Sequence, residues 1–322
     1  MNKETLYNIY RHRYLDGKDM GLIVPVDVMI ELASSCNLAC SYCYHSASNK
    51  DKLPFTKGIM PEHIALDILD QSARLEVNSL KFNFRGESTI NPSYTKIVKY
   101  AKSLASGLTF IDRIANTNFQ ILPKFRDDKF DGLASLTKVK VSFDSFNKQI
   151  FESQRIKGDH DLIMENIDLF YNSKERIKSE TQLILQAVRT KANADEDFMA
   201  IAKSKWPEIE VSIRDMVDGR LETSVQDEAV NDRDFDNRQS CIQAFVRMIF
   251  LHDGRAQMCC PDIKEKLVLG NINETSLYEL FNSSKAEMVR SNLRDKKAFL
   301  CEPCKGCSSY ESFKGFKPNK DS

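Results

Sequence analysis

The chain reads as an α/β protein: a parallel sheet with helical crossovers, followed by a small cysteine-rich unit. Three observations predict this. Alternating apolar segments and amphipathic helical segments take turns from about residue 26 to 215. The nine cysteines fall into two groups, with none between residues 43 and 241. Between the two, residues 218–240 are acidic and polar, with few apolar anchors.

The elements follow in order. Residues 1–25 are a polar lead-in that carries Tyr and Arg. Val26–Leu32 alternates apolar and polar side chains and reads as the first strand. A cysteine loop follows at once. Pro61 opens a helix whose apolar positions are Ile64, Ala65, Ile68, Leu69, Ser72 and Leu75; proline is tolerated in a first turn because that amide lacks an intrahelical partner. Leu80–Phe84 is a second strand. Asn91-Pro92 starts the next helix, a cap residue followed by Pro, with Tyr94, Ile97, Val98, Ala101 and Leu104 on its apolar face. Phe110–Ala115 and Val139–Phe143 are the third and fourth strands. Residues 160–172 form a helix carrying the apolar residues Leu162, Ile163, Ile167 and Leu169. Leu183–Val188 and Ile209–Ile213 are the fifth and sixth strands. The organisation expected is a lead-in at 1–25, a core at 26–217, a linker or active-site loop at 218–240, and a second domain at 241–322. Periodicity alone allows either a flat doubly wound sheet or a curled, barrel-like one.

Lys+Arg and Asp+Glu both number 46 in 322 residues. The balance argues against a nucleic-acid platform or a surface-bound membrane protein, both of which usually show basic excess. No apolar run approaches the ~20 residues a membrane helix needs. The N-terminus lacks the apolar core of a signal peptide. The expected location is cytoplasmic. An odd cysteine count without an export signal speaks against a disulfide framework and for metal.

The first cysteine group is the run Cys36-Asn37-Leu38-Ala39-Cys40-Ser41-Tyr42-Cys43. Three thiolates so close can hold three irons of a cubic 4Fe–4S cluster and leave the fourth iron open for chemistry. The other reading is zinc, with His45 as the fourth ligand. The CxxxCxxC spacing, the aromatic Tyr42 before the last cysteine and the position after a strand resemble the signature of radical S-adenosylmethionine (radical SAM) enzymes.

That resemblance implies a partial, TIM-like (β/α)6 barrel. It also implies S-adenosylmethionine on the open iron, cleaved reductively to a 5′-deoxyadenosyl radical that removes a hydrogen atom from substrate. Further segments resemble the family at successive strand ends. Arg85-Gly86-Glu87 stands where relatives carry Gly-Gly-Glu facing the methionyl amino group, with Arg85 replacing the first glycine. Thr117-Asn118 resembles Thr-Asn-Gly, with Phe119 replacing the glycine. Ser142, Asp144 and Arg155 resemble Ser-x-Asp…Arg, whose Ser and Arg contact the carboxylate and ribose region of the cofactor; an Arg fork suits a carboxylate. Each has a plain alternative as a turn, cap or solvated charge. Ligands of α/β folds nevertheless gather at the carboxyl ends of parallel strands.

The second group comprises Cys241, Cys259, Cys260, Cys301, Cys304 and Cys307. With Leu269-Gly270-Asn271-Ile272 and the terminal Cys-x-x-Cys, it resembles the SPASM/twitch extension of radical SAM enzymes, which carries auxiliary Fe–S clusters. Six cysteines suffice for one four-ligand cluster and not for two. Adjacent Cys259 and Cys260 point to opposite faces if they lie on a strand. The ligand set favoured by the resemblance is Cys241, Cys259, Cys304 and Cys307, with Cys301 an alternative to Cys307 and zinc an alternative metal.

The expected function is oxidation of a small polar, sugar- or aminocyclitol-like substrate, with one auxiliary 4Fe–4S cluster as electron acceptor. Arg189, Arg214 and Asp215, at the fifth and sixth strand ends, are the candidate anchors or proton acceptors. The alternative is a maturase acting on a ribosomal peptide or protein side chain; about twenty-five residues before the first strand are few for a peptide-recognition domain. The non-enzyme alternative is a zinc or Fe–S electron-transfer protein. The expected partners are a small-molecule or peptide substrate and a flavodoxin- or ferredoxin-type reductant, with no nucleic acid and no membrane.

Overall fold

The computed structural model describes residues 2–46, 55–215, 241–295, 297 and 300–304. The expected linker at 218–240 and Cys307 lie outside the described residues. Nine strands form one sheet in the order β6-β5-β4-β3-β2-β1-β7-β8-β9. They are β1 (Asp27–Ile30), β2 (Ser79–Lys81), β3 (Asp112–Thr117), β4 (Lys138–Ser142), β5 (Gln182–Arg189), β6 (Glu210–Asp215), β7 (Arg247–Phe250), β8 (Arg255–Gln257) and β9 (Val268–Asn271). β1 to β6 pair in parallel, each with its successor. The crossovers carry α2 (Glu62–Arg74), α3 (Tyr94–Leu104), α4 (Arg126–Leu133), α5 (Lys148–Gln154), α6 (His160–Tyr171), α7 (Lys174–Ser179) and α8 (Phe198–Lys205), after α1 (Lys3–Asp16) at the N-terminal side. Six parallel strands with helical crossovers are the partial (β/α)6 barrel expected.

The segment after residue 241 extends the same sheet. It opens with α9 (Gln243–Val246). β7 then pairs in parallel with the outer edge of β1, and β8 and β9 follow antiparallel. α10 (Leu277–Phe281), held by a Ser276–Glu279 capping box, and α11 (Ser284–Arg294) close the chain's described part.

Period-two alternation sorts the strand residues. Val28, Ile30, Leu80, Phe82, Ala115, Val139, Val141, Leu183, Leu185 and Ala187 enter the core shared with the helices. Their neighbours Asp27, Met29, Lys81, Ile114, Lys138, Lys140 and Ser142 face the inside of the curled sheet. The register sets Met29 beside Lys81, Lys81 beside Ile114, and Ile114 beside Lys138.

The lead-in is a helix, which was not expected. Asn2 caps α1, its side chain accepting from the Thr5 amide. Tyr7, Tyr10 and Tyr14 stack edge to face along it. The Tyr7 hydroxyl accepts from Lys138 Nζ at 2.8 Å, and the Tyr14 hydroxyl accepts from Arg247 at 3.1 Å. Lys138 and Arg247 begin their strands, so the tyrosines close the N-terminal mouth of the barrel.

Three local expectations are corrected. The helix expected from Asn91-Pro92 begins at Tyr94, because Asn91 has other partners: its amide donates to Leu32 O at 2.9 Å and Met60 O at 3.0 Å, and its Oδ1 accepts from the Ser93 amide. Leu169 is exposed, and α6 instead buries Ile163, Asn166, Ile167 and Phe170, one step round the helix. β2 stops at Lys81, so Asn83 and Phe84 already belong to the loop above it.

Asn91 therefore ties the end of β1 to the entry of α2. Asn91→Ala is expected to lower the unfolding free energy by about 2 kcal/mol, since it strands two buried carbonyls. Urea denaturation measures this, and Asn91→Asp, which lacks the donor, is expected to be no better.

Candidate active site

The cysteine loop leaves the C-terminal end of β1 and is pinned from both sides. The Ala39 amide donates to Ile156 O at 2.9 Å, and the Ser41 amide to Gln154 O at 2.8 Å. On the β2 side the Glu87 amide donates to Ser35 O at 2.9 Å. Gly86 packs so closely there that an added Cβ would lie 2.2 Å from Ser35 O and 2.5 Å from Ala33 O, which only glycine permits. Cys40 is buried, and Cys36 and Cys43 are partly so.

Two brackets of side chains from successive strand ends grip this loop. In the first, Glu87 is buried and accepts three hydrogen bonds. One oxygen accepts from the Thr89 amide (3.1 Å) and hydroxyl (2.8 Å), the other from the Asn118 amide at 2.6 Å. Asn118 Nδ2 donates to Asn37 Oδ1 at 2.7 Å and lies 3.8 Å from Cys36 Sγ. Phe119 has φ 59°, the conformation that a glycine adopts freely. Its ring stacks on Phe130 and meets Phe170 edge-on, so core packing offsets the strain.

In the second bracket, Asp144 is the hub. Oδ1 accepts from Arg155 Nη2 at 3.0 Å and from the Val188 amide at 2.9 Å. Oδ2 accepts from the Tyr42 hydroxyl and faces Arg155 Nε at 2.7 Å. Arg155 Nη1 reaches Cys40 Sγ at 4.0 Å. Ser142 ends β4 on the inner face, level with Gln186.

Burial pushes the Cys36 thiol up to about 12, with the Glu87 carboxylate adding to the effect. Burial likewise lifts Cys43 to about 12 and raises Cys40, the latter against the opposing pull of Arg155. Each thiolate thus needs a positive charge beside it, which bound iron supplies. Three thiols on one pinned loop, within electrostatic reach of one another, fit a cluster that takes one sulfur per iron. Among the described residues no three His, Cys, Asp or Glu side chains converge on a single metal position. His45, the fourth ligand of the zinc reading, instead sets Nε2 3.0 Å from Arg85 O.

Arg85 is a bridge that sequence reasoning missed. Its guanidinium pairs bidentately with Glu31, at the end of the first strand segment, at 2.7 Å to each oxygen. The third nitrogen reaches Glu265 Oε1 at 2.6 Å, and the plane lies over the Phe55 ring at 4.1 Å. Glu265 in turn accepts from Arg255 at 2.5 Å. Glu31 continues the inward alternation of β1, which was the available signal.

None of the eight described cysteines is in a disulfide. In the C-terminal part Cys301 is buried, and Cys241 and Cys304 pack against the same cluster. Cys260 goes elsewhere, against Met29, Ile249, Leu251 and Phe84 inside the barrel. Asp262, spaced Cys-x-x-Asp from Cys259, accepts from the Lys266 and Leu267 amides and closes that loop. Arg189 ends β5 and Arg214 lies on β6; both are exposed, and Arg189 is in register with Asp215.

Residues 241–308 match the SPASM family, an iron–sulfur cluster-binding domain. The mycofactocin maturase MftC of Mycolicibacterium smegmatis is 23% identical over 192 residues, 59% of this chain and 45% of that protein. MftC of Mycobacterium ulcerans is 22% identical over 190 residues. The match spans about half the length of these curated relatives. Among solved structures, Streptococcus suis SuiB bound to S-adenosylmethionine has a TM-score of 0.62 at 16% identity, covering 98% of this chain and 80% of that one. BtrN in complex with AdoMet and 2-DOIA has a TM-score of 0.57 at 16% identity, covering 88% and 93%. These likenesses show the fold. Fold, cysteine loop and matched domain are shared with radical SAM enzymes that carry a C-terminal SPASM domain, a class whose cofactors are S-adenosylmethionine and 4Fe–4S clusters.

The Glu31–Arg85 pair makes stability depend on acid. Burial opposes ionisation of Glu31, but hydrogen bonds from Arg85 and His252 outweigh it and hold the carboxyl below its ordinary value. Its contribution is therefore complete above the unfolded value of about 4.5 and is lost as pH falls through the lower folded value. Arg85→Met is expected to cost about 3–5 kcal/mol at neutral pH, because Glu31 is left buried and unpaired. Melting curves recorded from neutral to acid pH should show that cost shrinking from above pH ~4.5, as Glu31 of the variant, raised by burial without Arg85, takes up a proton.

Proposed function

We propose that Cys36, Cys40 and Cys43 hold a 4Fe–4S cluster with S-adenosylmethionine on its open iron, and that a substrate in the barrel lumen loses a hydrogen atom. The observation that carries this is the pair of side-chain brackets around one three-cysteine loop, at the carboxyl ends of successive parallel strands. When bound, the cofactors supply one-electron cleavage of the sulfonium and a radical able to abstract hydrogen from an unactivated C–H bond. The chain's residues bind and orient. Arg155, fixed by Asp144, sets positive charge beside Cys40. Tyr42 is held on the same carboxylate, which orients the loop between Cys40 and Cys43. Asn118 and Asn37 brace Cys36. Gly86 and Glu87 form the rim assigned to the methionyl amino group. Ser142 and Arg155 form the rim assigned to its carboxylate and ribose. Arg214 and Asp215 stay as candidate substrate anchors or proton acceptors.

One auxiliary 4Fe–4S cluster on Cys241, Cys259, Cys304 and Cys307 completes the reading, with Cys301 as the alternative to Cys307. A flavodoxin- or ferredoxin-type protein supplies electrons. For the substrate, modification of a peptide or protein side chain is supported by the sequence kinship to maturases and by the SuiB structure bound to its precursor peptide SuiA. Oxidation of a small polar molecule is supported by the cysteine economy of one auxiliary cluster and by the close agreement in extent with BtrN.

Anaerobic reconstitution tests the core of the proposal. The parent is expected to bind about eight iron per chain, and the variant with Cys36, Cys40 and Cys43 all changed to Ala about four. The parent should release 5′-deoxyadenosine on reduction, and the variant none. A parent value of about four iron would remove the auxiliary cluster.

A further inference from the structure

Lys140 lies on β4, one inward position above the closed floor of the barrel. Its neighbours Val139 and Val141 enter the outer core, so its side chain faces the lumen. Below it every cation has an acid. Lys81 Nζ lies 3.2 Å from Asp27 Oδ2, and Arg247 shares that carboxylate. Lys138 Nζ lies 3.1 Å from Asp112 and also holds the Tyr7 hydroxyl.

Lys140 has neither an ion pair nor a hydrogen bond among the described residues. The charges that act on it most are alike, Arg214, Lys81 and Lys138, with Asp112 a weaker opposing one. Burial and those cations push its ammonium down to about 8. In register it stands beside Asn116 and Ile184, and Glu210, next along, is exposed and engaged by Gln182. Asn83, on the inner side above β2, has its Oδ1 buried without a partner. Ser142 and Asp144, two and four residues on, lead up to the cysteine brackets.

A half-buried ammonium among like charges is unfavourable until a counter-charge reaches it. We propose that Lys140 anchors a carboxylate of the substrate, deep in the lumen between the cysteine loop and the tyrosine-closed floor. This rests on the lumen being the substrate site. An amide or alcohol cannot neutralise the charge, so the position selects acids over their uncharged isosteres. The acid can be a small molecule or an Asp or Glu side chain of a peptide; the chemistry at Lys140 is the same.

Thermal unfolding of the anaerobic holoprotein tests it, with glutarate as probe and glutaramide as the uncharged control. Without ligand, Lys140→Met is expected to melt about 2–4 °C above the parent, since it removes an uncompensated charge. Glutarate should raise the parent's Tm, glutaramide should not, and neither should move Lys140→Met, whereas Lys140→Arg should keep the response. If Lys140→Met fails to fold, Lys140→Gln carries the same comparison. Acetyl-Gly-Glu-Gly-amide against its Gln counterpart then assigns the source: a response there places the acid on a peptide, and a response to glutarate alone places it on a small molecule. A parent indifferent to both acids, or a variant that answers glutarate as the parent does, overturns the proposal. Binding of S-adenosylmethionine, measured on the same samples, separates the two readings: its loss with the glutarate response intact removes the proposed chemistry and leaves the anion site standing.

Discussion

The buried guanidinium of Arg85 is the constraint on which the site depends. It joins Glu31 above β1, the loop after β2 and Glu265 in the C-terminal part, with Phe55 across its face. Its carbonyl fixes His45, just beyond the cysteines. One side chain thus sets the SPASM part against the barrel mouth at the place where the cysteine loop emerges. A bidentate pair suits this task because it fixes direction as well as distance. Its geometry must also be good, since two buried charges repay their desolvation only when well matched.

With the loop so anchored, the surrounding polar groups divide their tasks. Glu87 accepts from Thr89 and Asn118, so it ties the ends of β2 and β3 together. Asp144 does the same between β4, β5 and the loop, while orienting Arg155 toward Cys40. Rigid strand ends and buried hydrogen bonds thus hold the three thiols on one pinned loop.

The barrel is sealed at one end and charged inside. The tyrosines of α1 close the floor, and Asp27 and Asp112 absorb the cations nearest it. No helix of the described residues is long and apolar enough to cross a membrane. The apolar faces of the helices are spent on the sheet, so the polar surplus of the strands has only the lumen to face.

Much of this was legible in the sequence. β4, β5 and the buried face of α2 lie where the periodicity set them, and the CxxxCxxC loop sits directly after β1. α1 gives little signal in the sequence because its inward stripe is three tyrosines, whose hydroxyls are polar. β3 begins two residues after the apolar pattern predicts, since Phe110 and Ile111 precede the pairing. The Arg85 replacement read as a departure from the family pattern; its partners, 54 and 180 residues away in the chain, carry no local signal. The sequence by itself determined the strands, the crossovers and the thiol chemistry, because period and spacing are local properties. Only the tertiary structure decided that β7 would complete the sheet beside β1, which carboxylates would be consumed by which cations, and that Lys140 would have none among the described residues. Pairing of charges depends on which strand ends the closed sheet brings together, and no short stretch of chain encodes that.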